Sequence, residues 1–186
     1  ALAIFDLDET LISCDSDHEW GKYIIEQGLV DRESHQQKND IFYQQYKNGE
    51  LNVDEYFKFV CSVLATHPIS LLDQHLATFV NERIKPLVLP KAIELLDYHR
   101  NCGNHIMMIT STIEFITRPI AELFDIQTLI APIPKLIGDR YTGSITGIPS
   151  FRSGKVKRLN EWLEYSHHNL EGSFFYSDSH NDLPLL

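Results

Sequence analysis

The sequence predicts an α/β protein in which a mostly parallel sheet carries helices on both faces and a four-helix segment is inserted after the first strand. Two observations lead to this fold class. From about residue 90 onward, short apolar runs alternate with amphipathic helical patterns, as expected for strands joined by crossover helices. Between the first apolar run and residue 90, only helical periodicity is found. The chain has 186 residues, enough for one domain of ordinary size or one domain with a large insertion.

The N-terminal strand and the inserted helices come first along the chain. The run from Ala1 to Phe5 is apolar and is followed by Asp6, which predicts a short buried strand. Four amphipathic patterns follow, and Ser16-x-x-Glu19 has the form of a capping box at the start of the first one. These patterns begin near residues 16, 31, 52 and 70, and the short segments between them predict a small helical bundle.

The second half of the chain predicts the rest of the sheet and its covering helices. Helices are expected at 91–101, 114–124 and 153–165, strands at 105–109, 129–131 and 173–177, and a hairpin or loop at 133–148. This alternation is typical of a Rossmann-like core. We therefore expect residues 1–14 and 90–186 to form an α/β core domain and residues 15–89 to form a helical domain.

Composition and charge exclude several classes of protein. Lys and Arg number 16 and Asp and Glu number 26, so the net charge of −10 argues against a nucleic-acid binder and against attraction to anionic membranes. No apolar run approaches the ~20 residues of a membrane-spanning helix. The three cysteines are far apart and form no CxxC pair, which is typical of free thiols in the cytoplasm.

Polar residues follow three of the predicted strands at the point where each strand ends. Asp6 and Asp8 follow the first strand, Thr110 follows the second, and Asp178 and Asp182 follow the last. Ligands of open α/β sheets bind at the carboxyl ends of the strands, so we expect these side chains to converge there. Clustered carboxylates repel one another unless a cation lies among them, and hard oxygen ligands favour Mg²⁺.

A lysine completes the set of groups needed for phosphoryl transfer. Lys155, at the start of a predicted helix, could neutralise charge on phosphoryl oxygens, while a carboxylate acts as the nucleophile and forms an aspartyl-phosphate. Each feature alone has an ordinary interpretation. A DxD pair is common in solvated turns, Thr110 could be a plain strand-end hydroxyl, and Lys155 could be a surface lysine. The specific observation is their joint order along the chain.

This order resembles the motifs of the haloacid dehalogenase-like (HAD) hydrolases. FDLDETL is similar to their first motif, DxDx(T/V), and IMMIT is similar to their second, an apolar strand that ends in Ser or Thr. Lys155 in SGKVKRL matches the third motif, and YSDSHNDLPLL matches the fourth, with acidic residues four apart. The helical insertion lies where the C1 cap of this superfamily belongs. The most similar branch is subfamily IB, the phosphoserine-phosphatase-like enzymes.

The resemblance implies a role for three acidic residues around a magnesium ion. Asp6 is expected to attack phosphorus and to bind Mg²⁺. Asp8 is expected to protonate the leaving oxygen, to activate water, and to ligate the metal through its backbone carbonyl. Asp178 would be the third protein ligand. The implied enzyme is a Mg²⁺-dependent phosphomonoester hydrolase that works through an aspartyl-phosphate.

Three further residues are implied to support this chemistry. Thr110 would donate a hydrogen bond to the phosphoryl group. Lys155 would neutralise charge on the nucleophile and on the phosphoryl oxygens. Asp182 would orient Lys155 or a metal-bound water without contacting the metal itself.

Substrate recognition is expected in the cap. Phosphoserine phosphatases hold their amino acid with a cap glutamate and a cap arginine, and by spacing the corresponding positions here are Asp15 and Lys58. Ser111, next to Thr110, is a further candidate substrate contact. A lysine cannot make the two-pronged grip on a carboxylate that arginine makes. The alternative is that Asp15 only caps the first cap helix and that Lys58 lies on a solvated helix face.

The resemblance leaves the substrate open among small phosphorylated metabolites. Candidates are phosphoserine, histidinol phosphate, a phosphocholine-like ester, and the headgroup phosphate of a phosphatidylglycerophosphate-like lipid, for which the sequence offers no basic patch.

Three other functions compete with a phosphatase. A phosphotransferase of the same fold would pass the phosphoryl group to an alcohol. A receiver-like phospho-aspartate signalling module would lack a cap, and a catalytically idle binding protein would not need the full motif set. Members of the family usually continue with another strand and helix after the fourth motif, so we expect the sheet to be incomplete at that edge.

Overall fold

The computed structural model describes residues 1–185 and shows six strands and seven α-helices within them. The strands are β1 (Leu2–Phe5), β2 (His105–Ile109), β3 (Thr128–Ile130), β4 (Ile133–Ile137), β5 (Arg140–Thr146) and β6 (Phe174–Tyr176). The helices are α1 (Ser16–Glu26), α2 (Arg32–Asn48), α3 (Val53–Thr66), α4 (Ile69–Phe79), α5 (Pro90–Asn101), α6 (Glu114–Leu123) and α7 (Ser153–Tyr165). A 3₁₀ helix, His180–Leu185, follows β6.

Four of the strands form one parallel sheet in the order β3–β2–β1–β6. The side chains of β1 alternate between its two faces. Leu2 and Ile4 pack with Leu159 of α7, whereas Ala3 and Phe5 belong to the cluster that includes the apolar side chains of α5 and α6. Both faces are therefore covered by helices, which explains why this strand is apolar at every position. The α/β fold class with inserted helices is confirmed.

The four helices between β1 and α5 are called the cap helices below, and the first three begin at polar residues that accept hydrogen bonds from the first turn. Asp15, Asp31 and Asn52 act as the N-caps of α1, α2 and α3. The capping box expected at Ser16 is therefore wrong by one position. The backbone N–H of Ser16 is bonded to the carboxylate of Asp8 instead, so Ser16 lies inside the first turn and Asp15 takes the cap.

The two ends of the inserted segment meet next to β1. After α4, a π-helical turn (Val80–Ile84) and a 3₁₀ turn (Lys85–Leu87) lead the chain back. The N–H of Leu89 then donates to the carbonyl of Leu11 at 3.0 Å. One continuous apolar cluster includes side chains of α1, α3, α4, α5 and α6. The cap helices therefore share a core with one face of the sheet.

Strands β4 and β5 form a separate antiparallel hairpin, one of the two possibilities that the sequence left open. The hairpin packs against α3. A Cβ atom added to Gly143 of β5 would lie 3.6 Å from the Cβ of Ala65. The hairpin thus belongs in sequence to the expected core but contacts a cap helix. The division into a core (1–14 and 90–186) and a cap (15–89) remains a prediction.

None of the helices in residues 1–185 combines the length and the apolar character needed to cross a bilayer. Cys14, Cys61 and Cys102 are free thiols, as the sequence predicts. The first two are buried and the third is exposed.

Candidate active site

The carboxylates of Asp6 and Asp182 and the ammonium group of Lys155 form a buried cluster where β1 and β6 end. Asp6 directly follows β1, and its backbone N–H donates to the carbonyl of Tyr176 at 2.9 Å. The Nζ atom of Lys155 lies 3.0 Å from Oδ1 of Asp6 and 2.6 Å from Oδ1 of Asp182. The three side chains are at most 4% exposed. The ends of β1 and β6 and the start of α7 thus bring together three residues that are far apart in sequence.

The charges of this cluster influence one another. Burial raises the pKa of Asp6 to about 7, with Asp182 and Asp8 adding to the shift and Lys155 opposing it. Burial alone would lower the pKa of Lys155, but the two carboxylates outweigh this effect and the pKa is raised. Lys155 therefore stays protonated at neutral pH. A further positive charge near Asp6 would favour its carboxylate form, which is the form that can attack phosphorus.

A tight turn before α7 brings Lys155 into the cluster. A Cβ atom added to Gly154 would lie 2.0 Å from the carbonyl oxygen of Pro149, so only glycine fits at this position. The N–H of Gly154 donates to the carbonyl of Phe151 at 2.8 Å, which closes the turn. The glycine next to the lysine is therefore a geometric requirement of the site.

Asp8 is held by two hydrogen bonds from different parts of the chain. Its Oδ1 atom accepts the N–H of Ser16 at 2.6 Å, and its Oδ2 atom accepts the hydroxyl of Thr112 at 2.9 Å. Burial raises the pKa of Asp8 to about 7, with Asp15 adding to the shift and the two hydrogen bonds opposing it. A carboxyl group with a pKa near 7 can both give and take a proton at neutral pH, as general acid–base catalysis requires.

Thr110 is fully buried at the end of β2. Its Oγ1 atom accepts the N–H of Thr112 at 3.1 Å, which leaves its own O–H available as a donor. Its carbonyl accepts the hydroxyl of Ser150 at 2.6 Å, and the carbonyl of Ser150 accepts the hydroxyl of Ser111 at 3.1 Å. These bonds connect the end of β2 to the turn that carries Lys155.

Asp178 lies apart from the buried cluster. Its side chain is exposed, and its N–H donates to the hydroxyl of Thr10 at 3.2 Å. Within residues 1–185, no three side chains of the His, Cys, Asp and Glu types are grouped so as to hold a metal ion. The ligand set implied by the sequence contains only two side chains, those of Asp6 and Asp178, together with the carbonyl of Asp8. The role of Asp178 stays a prediction.

The chemistry of these donors fits Mg²⁺. All three are hard oxygen ligands, and Mg²⁺ keeps several waters and needs few protein ligands. The buried carboxylate of Asp6 also faces the negative charges of Asp182 and Asp8, which contribute to its raised pKa. A cation beside Asp6 would offset this repulsion.

A cavity lies between the cap helices and the catalytic cluster. At the catalytic end it is lined by Asp8, Ser111 and Thr112, and Asp15 and Asp17 of the first cap turn also line it. The remaining lining residues are His18, Asn39, Phe42, Tyr43, Tyr46, Leu51, Val53, Tyr56, Phe57 and Phe151. The free space is about 30 Å³, and a water molecule needs roughly 10–15 Å³ on this measure. The cavity is therefore narrow, with room for a few water molecules.

Asp15 caps α1, and its side chain also lies at the cavity. Its carboxylate accepts the N–H of His18 at 2.8 Å as the N-cap of α1, and it also lines the cavity. Burial and the nearby Asp17 raise the pKa of Asp15 to about 7, although its cap hydrogen bond opposes the shift. The helix cap thus holds a carboxylate at the cavity wall.

Lys58 is not brought to the site. Its side chain is exposed and is absent from the residues that line the cavity. Tyr56 and Phe57 present the inward face of α3, and each further residue turns the side chain by about 100° around the helix axis. The structure thus places Lys58 on a solvated helix face and not in the cavity wall.

Two residues that the sequence analysis missed reach over the cluster. Arg152 has a φ of 50°, which is unusual for a residue other than glycine. Its guanidinium donates to the carbonyl of Gly49 at the end of α2 and, at 3.1 Å, to Oδ1 of Asn181. Tyr46 of α2 has a raised pKa because it is buried and because Asp6 lies close by. Neither belongs to a motif, so only the packing of α2 reveals them.

Comparisons with known proteins identify the family to which this chain is similar. The family model of the haloacid dehalogenase-like hydrolases matches residues 3–186. A histidinol-phosphatase from Neisseria meningitidis serogroup C (strain 8013) is 42% identical over 189 residues, covering 100% of this chain and 85% of the relative. A crystal structure of a protein of unknown function from Bordetella pertussis Tohama I has a TM-score of 0.92 and 38% identity, and covers 99% of this chain and 84% of that one.

A phosphoserine phosphatase solved with an analogue of its phospho-aspartyl intermediate is a more distant neighbour. It has a TM-score of 0.71 at 19% identity, and covers 99% of this chain and 80% of its own. At this level of identity the likeness concerns the fold alone.

Proposed function

Because the chain belongs to the haloacid dehalogenase-like hydrolase family and is a phosphatase, we propose that it hydrolyses a small phosphorylated metabolite through an aspartyl-phosphate on Asp6, with Mg²⁺ as cofactor. The observation that carries the proposal is the buried contact of Lys155 with Asp6 and Asp182. It supplies a nucleophile, a fixed positive charge and a group that orients that charge, all at the ends of adjacent strands.

The first step transfers the phosphoryl group to the protein. A carboxylate oxygen of Asp6 bonds to phosphorus while the bond between phosphorus and the ester oxygen breaks. The ester oxygen takes a proton from Asp8 and leaves as an alcohol. Lys155 and the hydroxyl of Thr110 stabilise the charge on the phosphoryl oxygens.

The second step releases phosphate. A water oxygen bonds to phosphorus, its proton passes to Asp8, and the bond between Asp6 and phosphorus breaks. Inorganic phosphate leaves, and both aspartates return to their starting forms. The pKa of Asp8, raised to about 7 by burial, supports its use as an acid in the first step and a base in the second.

A bound Mg²⁺ supplies positive charge that orients the phosphate and offsets its negative charge. We propose that Asp6, the carbonyl of Asp8 and Asp178 hold it. Asp182 contributes indirectly, because it bonds Lys155 and accepts the hydroxyl of Ser177 at 2.7 Å.

The substrate is proposed from the curated relative. The Neisseria protein is a histidinol-phosphatase, and its similarity covers this whole chain, so we propose histidinol phosphate as the first substrate to test. A cytoplasmic location is part of the same proposal and is supported by the free thiols.

The test uses p-nitrophenyl phosphate with excess Mg²⁺. We expect Asp6→Asn to lower turnover by about 10⁴-fold or more, as the loss of a nucleophile does in other enzymes. Asp139→Asn, an exposed aspartate in the β4–β5 turn, is the matched control and should keep wild-type turnover. Rapid quenching should also trap one phosphoryl group on the wild-type protein. Wild-type turnover by Asp6→Asn protein free of contaminating phosphatase contradicts the mechanism.

The same assay separates the alternatives. Adding an alcohol acceptor and finding a new phosphate ester in place of phosphate would identify a phosphotransferase. A receiver-like module would form the aspartyl-phosphate without multiple turnovers. The cap helices that enclose the cavity favour an enzyme over such a module.

A further inference from the structure

The cavity wall formed by the cap helices contains a buried carboxylate with no basic partner. Asp17, in the first turn of α1, is 8% exposed and lines the cavity. The hydroxyl of Tyr56 lies against it, and Tyr56 lines the same cavity. Burial raises the pKa of Asp17 to about 7, and no lysine or arginine offsets this shift. Asp15 adds a second, partly buried carboxylate to the same wall.

No basic side chain completes this wall. Among the described residues that line the cavity, none is lysine or arginine. Lys58 is exposed, and the guanidinium of Arg152 is bonded to Gly49 and Asn181. The ammonium group of Lys47 lies 5.4 Å from the centre of the Tyr43 ring, outside the lining set. A carboxylate on a ligand would therefore meet two acidic groups and no lysine or arginine among the lining residues, and Lys47, whose charge lowers the pKa of Asp15, lies outside that set.

Aromatic rings form most of the remaining wall. Six aromatic side chains line the cavity within the described chain, namely Phe42, Tyr43, Tyr46, Tyr56, Phe57 and Phe151. The electron-rich faces of such rings attract organic cations. Carboxylates and aromatic faces thus favour the same kind of ligand.

Asp8 and Thr112 line the other end of the cavity, so a phosphate ester bound at Asp6 would direct its alcohol portion toward Asp17. We infer that this pocket selects phosphate monoesters whose alcohol portion carries a positive charge and no carboxylate, and that Asp17, supported by Tyr56, is the specificity-determining residue. The inference rests on the proposed phosphatase function. Beyond that function, the inference states that the cap recognises the alcohol portion of the substrate and rejects a carboxylate there.

The experiment compares kcat/KM for pairs of esters that differ in one group. Phosphoethanolamine and n-propyl phosphate differ only in the replacement of an ammonium group by a methyl group. The pair 4-aminobutyl phosphate and n-pentyl phosphate makes the same comparison at a longer reach. Phosphoserine differs from phosphoethanolamine only in its added carboxylate. We expect the ammonium ester to be preferred about 10- to 100-fold in at least one pair, and phosphoserine to be rejected by a similar factor.

The Asp17→Asn variant tests the residue itself. It should lower kcat/KM for the preferred ammonium ester, mainly through KM, by a factor about 10- to 100-fold larger than the factor for p-nitrophenyl phosphate. Asp54→Asn, at an exposed aspartate in the first turn of α3, should change neither substrate. Tyr56→Phe should weaken the preference in the same direction as Asp17→Asn.

The outcomes separate this inference from the proposed function. If the wild type hydrolyses none of the esters or p-nitrophenyl phosphate with Mg²⁺, the proposed function fails. If it hydrolyses p-nitrophenyl phosphate but prefers the neutral or carboxylate esters, only the inference fails. It also fails if Asp17→Asn slows all substrates by one factor, because that result indicates a structural role. Thermal unfolding of each variant shows whether a loss of folding accounts for such a uniform decrease.

Discussion

Replacing Lys155 by methionine removes the only positive charge among the groups that contact Asp6 and Asp182 in the described chain, at nearly constant side-chain volume. The three side chains are at most 4% exposed, so the two carboxylates would remain in a buried site without a positively charged partner. Removing one member of a buried ion pair costs about 3–5 kcal/mol. We therefore expect Lys155→Met to lower the free energy of unfolding by this amount at pH 8.

The loss of stability should depend on pH. Burial raises the pKa of Asp6 and Lys155 opposes this shift, so without Lys155 the pKa of Asp6 rises further and the folded protein binds more protons than the unfolded chain. Stability then falls as pH rises above about 4. The destabilisation by Lys155→Met should consequently be smaller at pH 5.5 than at pH 8, because protonation removes the repulsion.

Urea unfolding followed by circular dichroism at the two pH values measures this effect. With an m-value of about 2 kcal/mol per molar urea, a loss of 4 kcal/mol moves the midpoint by about 2 M. Lys157→Met, at an exposed lysine in the same helix, is the control and should move it little. A change below about 1 kcal/mol at pH 8, or an equal change at both pH values, refutes the reasoning. Activity should fall about 100-fold or more, because the phosphoryl charge loses a fixed counter-charge.

Three other changes test separate parts of the structure. Gly154→Ala should destabilise the fold by about 2–4 kcal/mol in urea unfolding and reduce activity, because the new Cβ would lie 2.0 Å from the carbonyl oxygen of Pro149. An unchanged urea midpoint contradicts this close contact. Thr112→Val removes a hydrogen bond that lowers the pKa of Asp8. The limb of the kcat/KM–pH profile that reports Asp8 should therefore move to higher pH. A shift to lower pH, or no shift, contradicts the assignment. Burial lowers the pKa of His35 to about 4, so below pH 6.5 the unfolded chain binds this proton first and stability falls as pH decreases. In urea unfolding, His35→Gln should therefore lose about 1 kcal/mol less stability than the wild type between pH 7 and pH 5, a value halved for partial solvent screening. Parallel stability–pH profiles of the two proteins contradict this expectation.

The motif residues illustrate how far sequence order alone leads to a site. Asp6, Thr110 and Asp182 each follow a strand of one parallel sheet, and parallel strands end at the same edge. Their convergence therefore follows from recognising the strands. Lys155 joins them because a glycine-dependent turn begins its helix next to that edge. Local sequence patterns are therefore enough to predict that these four residues meet.

The cap side of the cavity illustrates the opposite case. The helices α1, α2 and α3 were predictable from their periodicity, but their rotation about their own axes was not. That rotation turns Lys58 to solvent and Tyr56 to the cavity, although both lie on the same amphipathic helix. Ser16 was similarly taken for a helix cap because a local pattern cannot show that Asp8 already binds its N–H.

By itself, the sequence determined the α/β class, the inserted helices and the family, and it predicts the catalytic set, because strand periodicity and motif order are local properties of the chain. Only the tertiary structure decided which cap residues enclose the substrate cavity, that Thr112 and Ser16 hold Asp8, and that Arg152 connects α2 to the catalytic loops. These features depend on how helices pack against one another, and packing is set by contacts between residues that are distant in sequence.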